Sequence, residues 1–415
     1  MELLNKKILT GLLIVIAVLV AVIFLWLGSY QMEGNNINLP ATVGAVNSGE
    51  VKEEPKKQLE ENSKIIKAVY VTGWSAGSAK YINYLNSLLD TTEINAVVID
   101  IKDGSGLVSY QTDIPAVNQY KTYYPKIKDI NGLIKILHEK NIYVIGRIVV
   151  FEDNALAKAR PDLAIYDKSA TADPLRPVPW NNHGGISWVD PASKEVQDYN
   201  IELAKDGWNR GFDEINFDYI RFPTDGDTAN VGFPVWDGET LLHLVIKDFF
   251  QNLRQSLPGV IISADLFGQV TVSKDDMGVG QLFEDSLEYF DYVEPMVYPS
   301  HYEPGFLGYE SPVEHPYEVI KNAIGTAQLR RMAYLENNAR QDENGKDIEL
   351  KLAKIRPWIQ DFDLGADYNA EMIIKEIDAV KDSLGEDFSG FMMWNPLNRY
   401  TEEAIKVESQ DSSIK

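Results

Sequence analysis

The chain of 415 residues carries 62 Asp and Glu against 39 Lys and Arg, which gives a formal net charge of −23. This excess of negative charge argues against a nucleic-acid partner, because affinity for nucleic acids rests on Lys and Arg. The chain contains no cysteine, which excludes disulfides, thiol catalysis and Cys-ligated metals. The five histidines lack metal-binding spacing, so we expect neither a metal site nor a cofactor.

The first 30 residues have the pattern of an uncleaved signal anchor. Lys6 and Lys7 precede a charge-free apolar run over 8–28, which is long enough to cross a bilayer as a helix. The segment LWLGSYQ that ends this run is a poor signal-peptidase site. We predict a transmembrane helix within 1–30, with the lysines cytoplasmic and the remainder exported, in a single-pass protein of the cell membrane.

Polar segments flank the region that we expect to fold. Residues 31–63 are rich in charged and small residues and are predicted to form a solvated linker or stalk. Residues 406–415 are a polar tail. We therefore expect one folded domain over 64–405.

From residue 64 onward, short β-rich runs alternate with longer amphipathic stretches. Eight such runs occur, at 68–74, 95–103, 143–153, 214–222, 260–268, 292–300, 355–362 and 390–396. The alternation predicts a parallel sheet covered by helices, and eight units predict a (β/α)8 TIM barrel. A doubly wound open sheet is the alternative, disfavoured because no glycine-rich phosphate loop follows the first run.

Polar or aromatic residues stand at the ends of nearly all eight runs. In a barrel these ends form the mouth, where active sites lie. Any one of them could instead be structural, as a helix cap at Asp190, a salt bridge at Arg147 or a loop contact at His301. The candidate substrate-binding residues are Trp74, Asp100, Lys102, Arg147, Trp188, Asp190, Arg221, Tyr298, His301, Trp358, Gln360, Trp394 and Asn395.

The fourth run, EINFDYIRF, separates into two faces. Side chains of a strand alternate, so Glu214, Asn216 and Asp218 share one face while Phe217 and Tyr219 share the other. If the polar face points to the barrel axis, Asp218 stands highest, at the mouth, and the aromatic face packs against helices. Carboxylates that converge in a cleft lined with Trp and Tyr indicate glycoside hydrolysis by one acid and one nucleophile or base.

The segments GFDEINFDYIRFP, AVVIDIKDGSGLVSY, ISADLFG, DYVEPMVYPSHY and GFMMWNP resemble a family of largely uncharacterised bacterial and archaeal glycoside-hydrolase-type barrels, distantly similar to the α-amylase type. The resemblance covers about 64–403. It implies that Asp218, at the end of the fourth strand, is the nucleophile or base. Asn216 stands where the α-amylase pattern has Arg, and Asp265 stands where that pattern has Glu. The general acid is therefore left open between Asp265 and Glu294, in that order.

These observations predict an exported, membrane-anchored glycoside hydrolase that acts on a cell-wall or extracellular polysaccharide. A non-catalytic carbohydrate-binding barrel at the cell surface is the alternative, motivated by the two departures from the α-amylase pattern. The separation of the carboxyl groups in space decides between catalysis and binding, and between retention and inversion.

Overall fold

The computed structural model describes residues 65–341, 347–348 and 350–406. The predicted transmembrane helix, the stalk and residues 407–415 of the tail lie outside the described residues. Among the helices of the described ranges, none is long and apolar enough to cross a membrane.

Eight parallel strands form a closed barrel. Each strand pairs with the next along the chain, and the eighth pairs back with the first, where Ile66 lies opposite Gly390. The closure confirms the barrel and is incompatible with an open doubly wound sheet. The strands are β1 Ile66–Val71, β2 Ala96–Lys102, β3 Tyr143–Val149, β4 Glu214–Asp218, β5 Ile262–Phe267, β6 Tyr292–Met296, β7 Trp358–Gln360 and β8 Gly390–Trp394. Shorter pairs are Lys354–Ile355 with β6, Tyr166–Asp167 with Val231–Gly232, and Arg340–Gln341 with Asp347–Ile348.

Helices follow the first seven strands of the barrel. They are α1 Ala79–Thr91, α2 Ile130–Glu139, α3 Lys194–Arg210, α4 Leu242–Ser256, α5 Phe283–Ser286, α6 Pro316–Asn337 and α7 Ala370–Leu384. Short helices span Gly73–Ala76, Pro115–Tyr120 and Asn154–Ala159. The 3-10 turns are Thr228–Asn230, Gly268–Thr271, Pro299–His301, Phe306–Gly308, Pro312–Glu314, Gly385–Asp387 and Glu402–Ala404.

The sequence determines where these helices begin and which face they bury. The Asp129 carboxylate accepts the Gly132 N–H at 2.8 Å and so caps α2. The buried positions of α2 are Ile130, Leu133, Ile134 and Leu137, which is the spacing of one helical stripe. Ser193 and Asn369 cap α3 and α7 in the same way.

The inside of the barrel has an apolar half and a polar half. Strands β8, β1, β2 and β3 supply mainly small or apolar side chains, including Ala68, Ala96, Val98, Ile145 and Met392. Strands β4 to β6 and the segment that enters β7 supply buried polar ones, namely Glu214, Asn216, Ser263, Asp265, Glu294 and Arg356. The asymmetry ends near the C-terminal ends of the strands, where β2 and β3 also supply buried charged side chains, Asp100 and Arg147.

The seam between β8 and β1 requires a glycine. Gly390 has a φ of 108°, and a Cβ at this position would lie 1.8 Å from the carbonyl oxygen of Ile66. A residue with a side chain would be strained in this conformation and would also collide with the first strand. Closure of the barrel therefore depends on the absence of a side chain at one position.

Candidate active site

Strand β4 carries a polar column that rises toward the mouth. Glu214, Asn216 and Asp218 are all buried on the interior side, while Phe217 packs edge-on against Phe249 of α4 with ring centroids 6.4 Å apart. The alternation ends at Asp218, because Tyr219 adopts a φ of 53° and donates its backbone N–H to Asp218 Oδ1 at 2.6 Å. Tyr219 therefore lines the cavity at the mouth, where strict alternation would have turned it toward the helices.

A lower ionic cluster lies deep in the barrel. Arg356 Nη2 lies 2.5 Å from Glu214 Oε1, and Arg356 Nε donates to Glu294 Oε1 at 2.9 Å. The Arg356 guanidinium also lies 4.0 Å from the centre of the Tyr292 ring. Burial raises the pKa of Glu294 to about 7, and the charge of Arg356 opposes that rise. Glu294 is thus enclosed with Arg356 and does not line the cavity.

An upper ionic cluster lies at the C-terminal ends of β2, β3 and β4. Arg147 Nη2 lies 2.5 Å from Asp218 Oδ2, and Arg147 Nη1 donates to Asp100 Oδ1 at 2.7 Å. The Tyr70 hydroxyl donates to Asp100 Oδ2 at 2.6 Å, and the Tyr70 ring stacks on Trp394 with centroids 4.0 Å apart. Arg147 thus holds the Asp218 side chain in a charge-assisted contact at the cavity.

Asp265 lies beside the upper cluster in a different environment. Its side chain is only 1% exposed, and its Oδ1 accepts bonds from Trp358 Nε1 at 2.7 Å and from Asn216 Nδ2 at 2.8 Å. Burial raises the pKa of Asp265 well above its usual range, and the negative charge of Asp218 raises that pKa further. Asp265 is therefore harder to ionise than an exposed aspartate, as a group that donates a proton must be.

The two candidate carboxyl groups approach the same arginine nitrogen. Arg147 Nε lies 3.2 Å from Asp218 Oδ2 and 3.9 Å from Asp265 Oδ2. These two distances limit the separation of the two Oδ2 atoms to about 7 Å. Glycoside hydrolases place their carboxyl pair about 5–5.5 Å apart for retention and about 6.5–9.5 Å apart for inversion. The pair thus lies close enough for glycosidic bond cleavage.

A cavity of about 640 Å³ lies at the C-terminal ends of the strands, the end that the barrel prediction indicated. Eight of the predicted site residues line it: Arg147, Asp218, Arg221, Asp265, Tyr298, His301, Trp358 and Trp394. Burial lowers the pKa of His301, so this ring is mainly neutral at pH 7. The cavity combines carboxyl groups, those of Asp218, Asp265 and Glu303, with aromatic rings, as a sugar site requires.

Other predicted site residues lie outside this cavity and use their polar atoms elsewhere. Asp190 accepts the backbone N–H groups of Val235 and Trp236 at 2.7 and 3.0 Å, so it fixes a loop. Lys102 lies 2.5 Å from Asp153 in a buried ion pair. Trp188 is buried behind Arg221, and Asp100 supports Arg147.

Three further candidates also lie apart from the cavity lining. The Gln360 amide bonds the backbone of the loops that follow β6 and β7, and Asn395 bonds the backbone of Asp361. Trp74 is 53% exposed, and its ring lies 5.4 Å from that of Tyr124. A polar or aromatic residue at a strand end can therefore bond a loop backbone or stand on the rim as readily as enter the cavity.

The structure adds cavity residues that were not among the predicted ones. They are Tyr219, Phe267, Gly268, Gln269, Met277, Met296, Tyr302, Glu303 and Phe306. The 298–306 segment, YPSHYEPGF, is rich in aromatic residues directly after β6, which was a usable signal. Arg356 was detectable too, because it has the same parity as Trp358 and Gln360. Among the described side chains, no group of three or more His, Asp or Glu is arranged to hold a metal ion.

Among the solved structures compared, one with a TM-score above 0.5 supports the same fold. The glycoside hydrolase domain of PgaB (BpsB) from Bordetella bronchiseptica matches with a TM-score of 0.57 and 13% identity, over 83% of this chain and 100% of that one. A hypothetical protein from Ruminiclostridium thermocellum is 36% identical over 51% of this chain and 98% of its own, with a TM-score of 0.43. An α-galactosidase from Thermus thermophilus, solved with stachyose, matches with a TM-score of 0.46 and 14% identity, over 84% of this chain and 64% of that one.

A search of curated proteins found no match. A family model described as "Putative glycosyl hydrolase domain" matches residues 68–400. The match covers the barrel from the third residue of β1 to the loop after β8 and includes every residue of the two ionic clusters. It agrees with the family resemblance seen in the sequence and with the predicted enzyme class. The chain belongs to this glycosyl hydrolase family.

Proposed function

We propose that this protein hydrolyses a glycosidic bond with Asp218 as nucleophile or base and Asp265 as general acid. The observation that carries the proposal is the contrast between two neighbouring carboxyl groups. Asp218 is paired with the Arg147 cation, whereas Asp265 is buried and has a raised pKa. Two carboxyl groups whose surroundings separate their protonation states can act as an acid and a base in one site.

In this mechanism Asp265 donates its proton to the glycosidic oxygen while that oxygen leaves the anomeric carbon. Asp218 either attacks the anomeric carbon or removes a proton from the attacking water, depending on the carboxyl separation. As a nucleophile, Asp218 forms a glycosyl ester that water then hydrolyses, with retention. As a base, Asp218 activates the water that displaces the leaving group directly, with inversion.

We further propose that the enzyme is anchored in the cell membrane and acts outside the cytoplasm on a cell-wall or extracellular polysaccharide. The apolar run over 8–28 and its preceding lysines support this proposal. Membrane fractionation of the full-length protein and of a variant lacking residues 1–30 tests the anchor. The full-length protein should sediment with membranes, and equal release of both forms would contradict it.

To test the reaction, the full-length protein is incubated with a panel of plant, bacterial-wall and secreted polysaccharides, and the release of reducing sugar is measured. Asp218→Asn should lower the rate about a thousandfold or more, because it removes the group that stabilises the developing positive charge at the anomeric carbon. Asp113→Asn, an exposed aspartate outside the cavity, is the matched control and should leave the rate unchanged.

The same experiment separates the enzyme from a non-catalytic carbohydrate-binding barrel. A binding protein would retain its glycan on the panel after loss of Asp218, and the wild type would release no sugar. That result, or full activity in Asp218→Asn, would overturn the proposed roles.

A further inference from the structure

Arg221 is a buried cation in the wall of the cavity. Its side chain is 8% exposed, and its guanidinium carbon lies 4.9 Å from the ring centres of Trp188 and Tyr219 and 4.5 Å from that of Phe267. Three aromatic rings therefore replace much of the water that would otherwise surround this charge. Aromatic faces stabilise a cation only in part, because a ring carries no net negative charge.

The guanidinium of Arg221 lacks a carboxylate partner in the part of the chain that the structure describes. One nitrogen, Nη1, donates to the Phe222 carbonyl at 3.0 Å and lies 3.4 Å from Thr224 Oγ1. No Asp or Glu oxygen of the described residues lies within 4.0 Å of the group. Within the same distance Arg356, in contrast, contacts two carboxyl groups and Arg147 contacts three. A desolvated cation without a counter-ion is costly, which makes an anion a favourable occupant of the adjacent space.

A second donor on the same wall also lacks a partner. The Tyr302 side chain is 7% exposed and lines the cavity, yet its hydroxyl has no hydrogen-bond partner among the described residues. Its oxygen lies beside Gly268, the residue after the Phe267 ring on which Arg221 stacks. An unpartnered hydroxyl is thus buried in the wall of the cavity that Arg221 also lines.

We propose that this wall binds a negatively charged substituent of the sugar, a carboxylate or a sulfate ester, and that Arg221 is the residue that selects it. The planar guanidinium offers parallel N–H donors that match either oxyanion. The inference rests on the proposed function, because it names the substrate class of the same cavity: acidic glycans such as uronic-acid polymers or sulfated polysaccharides.

The nearby carboxyl groups do not neutralise Arg221. Asp218 is paired with Arg147, and burial raises the pKa of Glu152, on the loop after β3, to about 7, so that this group is only partly charged at neutral pH. Asp225, on the loop after β4, is exposed to solvent, and its Oδ1 lies 2.6 Å from His183 Nδ1. The net charge of −23 acts mainly at long range, where salt screens it within about 8 Å at physiological ionic strength.

Matched glycan pairs test the proposal with the full-length protein. Polygalacturonate, alginate and hyaluronate are each compared with their carboxyl-reduced forms, and κ-carrageenan with its desulfated form. At least one charged polymer should bind the wild type tenfold or more tightly than its uncharged counterpart. The carboxylate and sulfate pairs distinguish the two sources of charge. Equal binding within every pair, or binding of uncharged forms alone, would overturn the inference.

Variants then locate the preference on Arg221. For the preferred pair, Arg221→Gln should reduce the ratio of the affinity for the charged polymer to that for the uncharged polymer to less than threefold. Arg221→Lys should retain part of this preference. Tyr302→Phe, which removes only the hydroxyl, should weaken binding of the charged polymer a few-fold. The matched control is Arg399→Gln, since Arg399 is exposed and lies over the Tyr84 ring away from the cavity. A tenfold preference that persists in Arg221→Gln would remove Arg221 from the proposal.

Failure of the inference and failure of the proposed function give different results. If only uncharged glycans are bound and cleaved, hydrolysis stands and the acidic substrate is wrong. If charged glycans are bound with the Arg221-dependent preference but never cleaved, the substrate class stands and the hydrolase is wrong. If Arg221→Gln does not fold, the wild-type comparison of the matched pairs still decides.

Discussion

Arg356 contacts two carboxyl groups and Arg147 contacts three inside the same barrel, but the two arginines differ in what surrounds them. Arg356 and its partners Glu214 and Glu294 are fully enclosed between the strands. Arg147 binds Asp100 on its buried side and Asp218 on the side that lines the cavity. An arginine with carboxylate partners is thus structural deep in the barrel and available for chemistry at the mouth. The position along the barrel axis determines which of the two roles the cluster has.

Asn216 joins the two levels. Its Nδ2 lies 2.8 Å from Asp265 Oδ1 and 2.7 Å from Glu294 Oε2, so one amide contacts the candidate acid above and the buried glutamate below. An arginine at this position would bring a third cation between carboxyl groups that Arg147 and Arg356 already serve. The departure from the α-amylase pattern therefore fits the local charge balance.

The largest effect that we expect is on stability, at the lower cluster. Arg356→Met would leave Glu214 and Glu294 buried without their cation and should lower the free energy of unfolding by about 3–5 kcal/mol. Denaturant unfolding measures this loss. Adding Glu214→Gln and Glu294→Gln should recover part of it. Arg147→Met should cost less stability while abolishing activity, because Asp218 can gain water from the cavity. Equal stability losses for the two arginines would contradict the comparison.

The next effect concerns Asp265 and is visible in the pH dependence. The acid acts when protonated, so wild-type activity should fall as pH rises through its raised pKa. Asp265→Asn should lower kcat/KM about 100-fold on a polysaccharide and remove this alkaline loss. On an aryl glycoside, whose acidic leaving group departs without protonation, Asp265→Asn should lower kcat/KM far less than on the polysaccharide. Asp265→Glu is the control that retains an alkaline limb, and an unchanged profile in Asp265→Asn would assign the acid elsewhere.

The smallest effect concerns Glu152, close to the upper cluster. Burial raises its pKa from 4.5 to about 7 in the folded state, so the folded protein holds this proton more tightly than the unfolded chain. The stabilisation is full below pH 4.5 and is lost as pH rises through 7. Glu152→Gln lacks this titrating group. Between pH 5 and pH 7 the free energy of unfolding of the wild type should therefore fall by about 2 kcal/mol more than that of the variant. Parallel unfolding curves for the two proteins would refute this effect.

The barrel was predictable because strand and helix periodicities repeat eight times in the sequence. The polar face of β4 was predictable for the same reason, since Glu214, Asn216 and Asp218 obey simple alternation. Tyr219 departs from this alternation because its own positive φ turns the backbone at the end of the strand. Such a local backbone turn is not encoded in a pattern of polar and apolar residues.

The roles of the strand-end residues were less predictable. Asp190, Gln360 and Asn395 have the composition of site residues, but loop backbones use their oxygens and amides. Which donors a loop presents depends on contacts between segments far apart in the chain. The aromatic residues of the loop after β6 lie in the cavity for the same reason, and periodicity gives no information about them.

The glycine at the seam of the barrel also bears on how the chain is made. Gly390 meets Ile66 across more than 300 residues of sequence, so β1 cannot be paired on both edges until nearly the whole barrel has been synthesised. At about 5–20 residues per second, this delay lasts on the order of 15–60 seconds. Throughout that interval β1 has an unpaired edge, the kind of surface that promotes aggregation. The exposed edge of β1 therefore stays open to pairing with other chains until the last strand closes the ring.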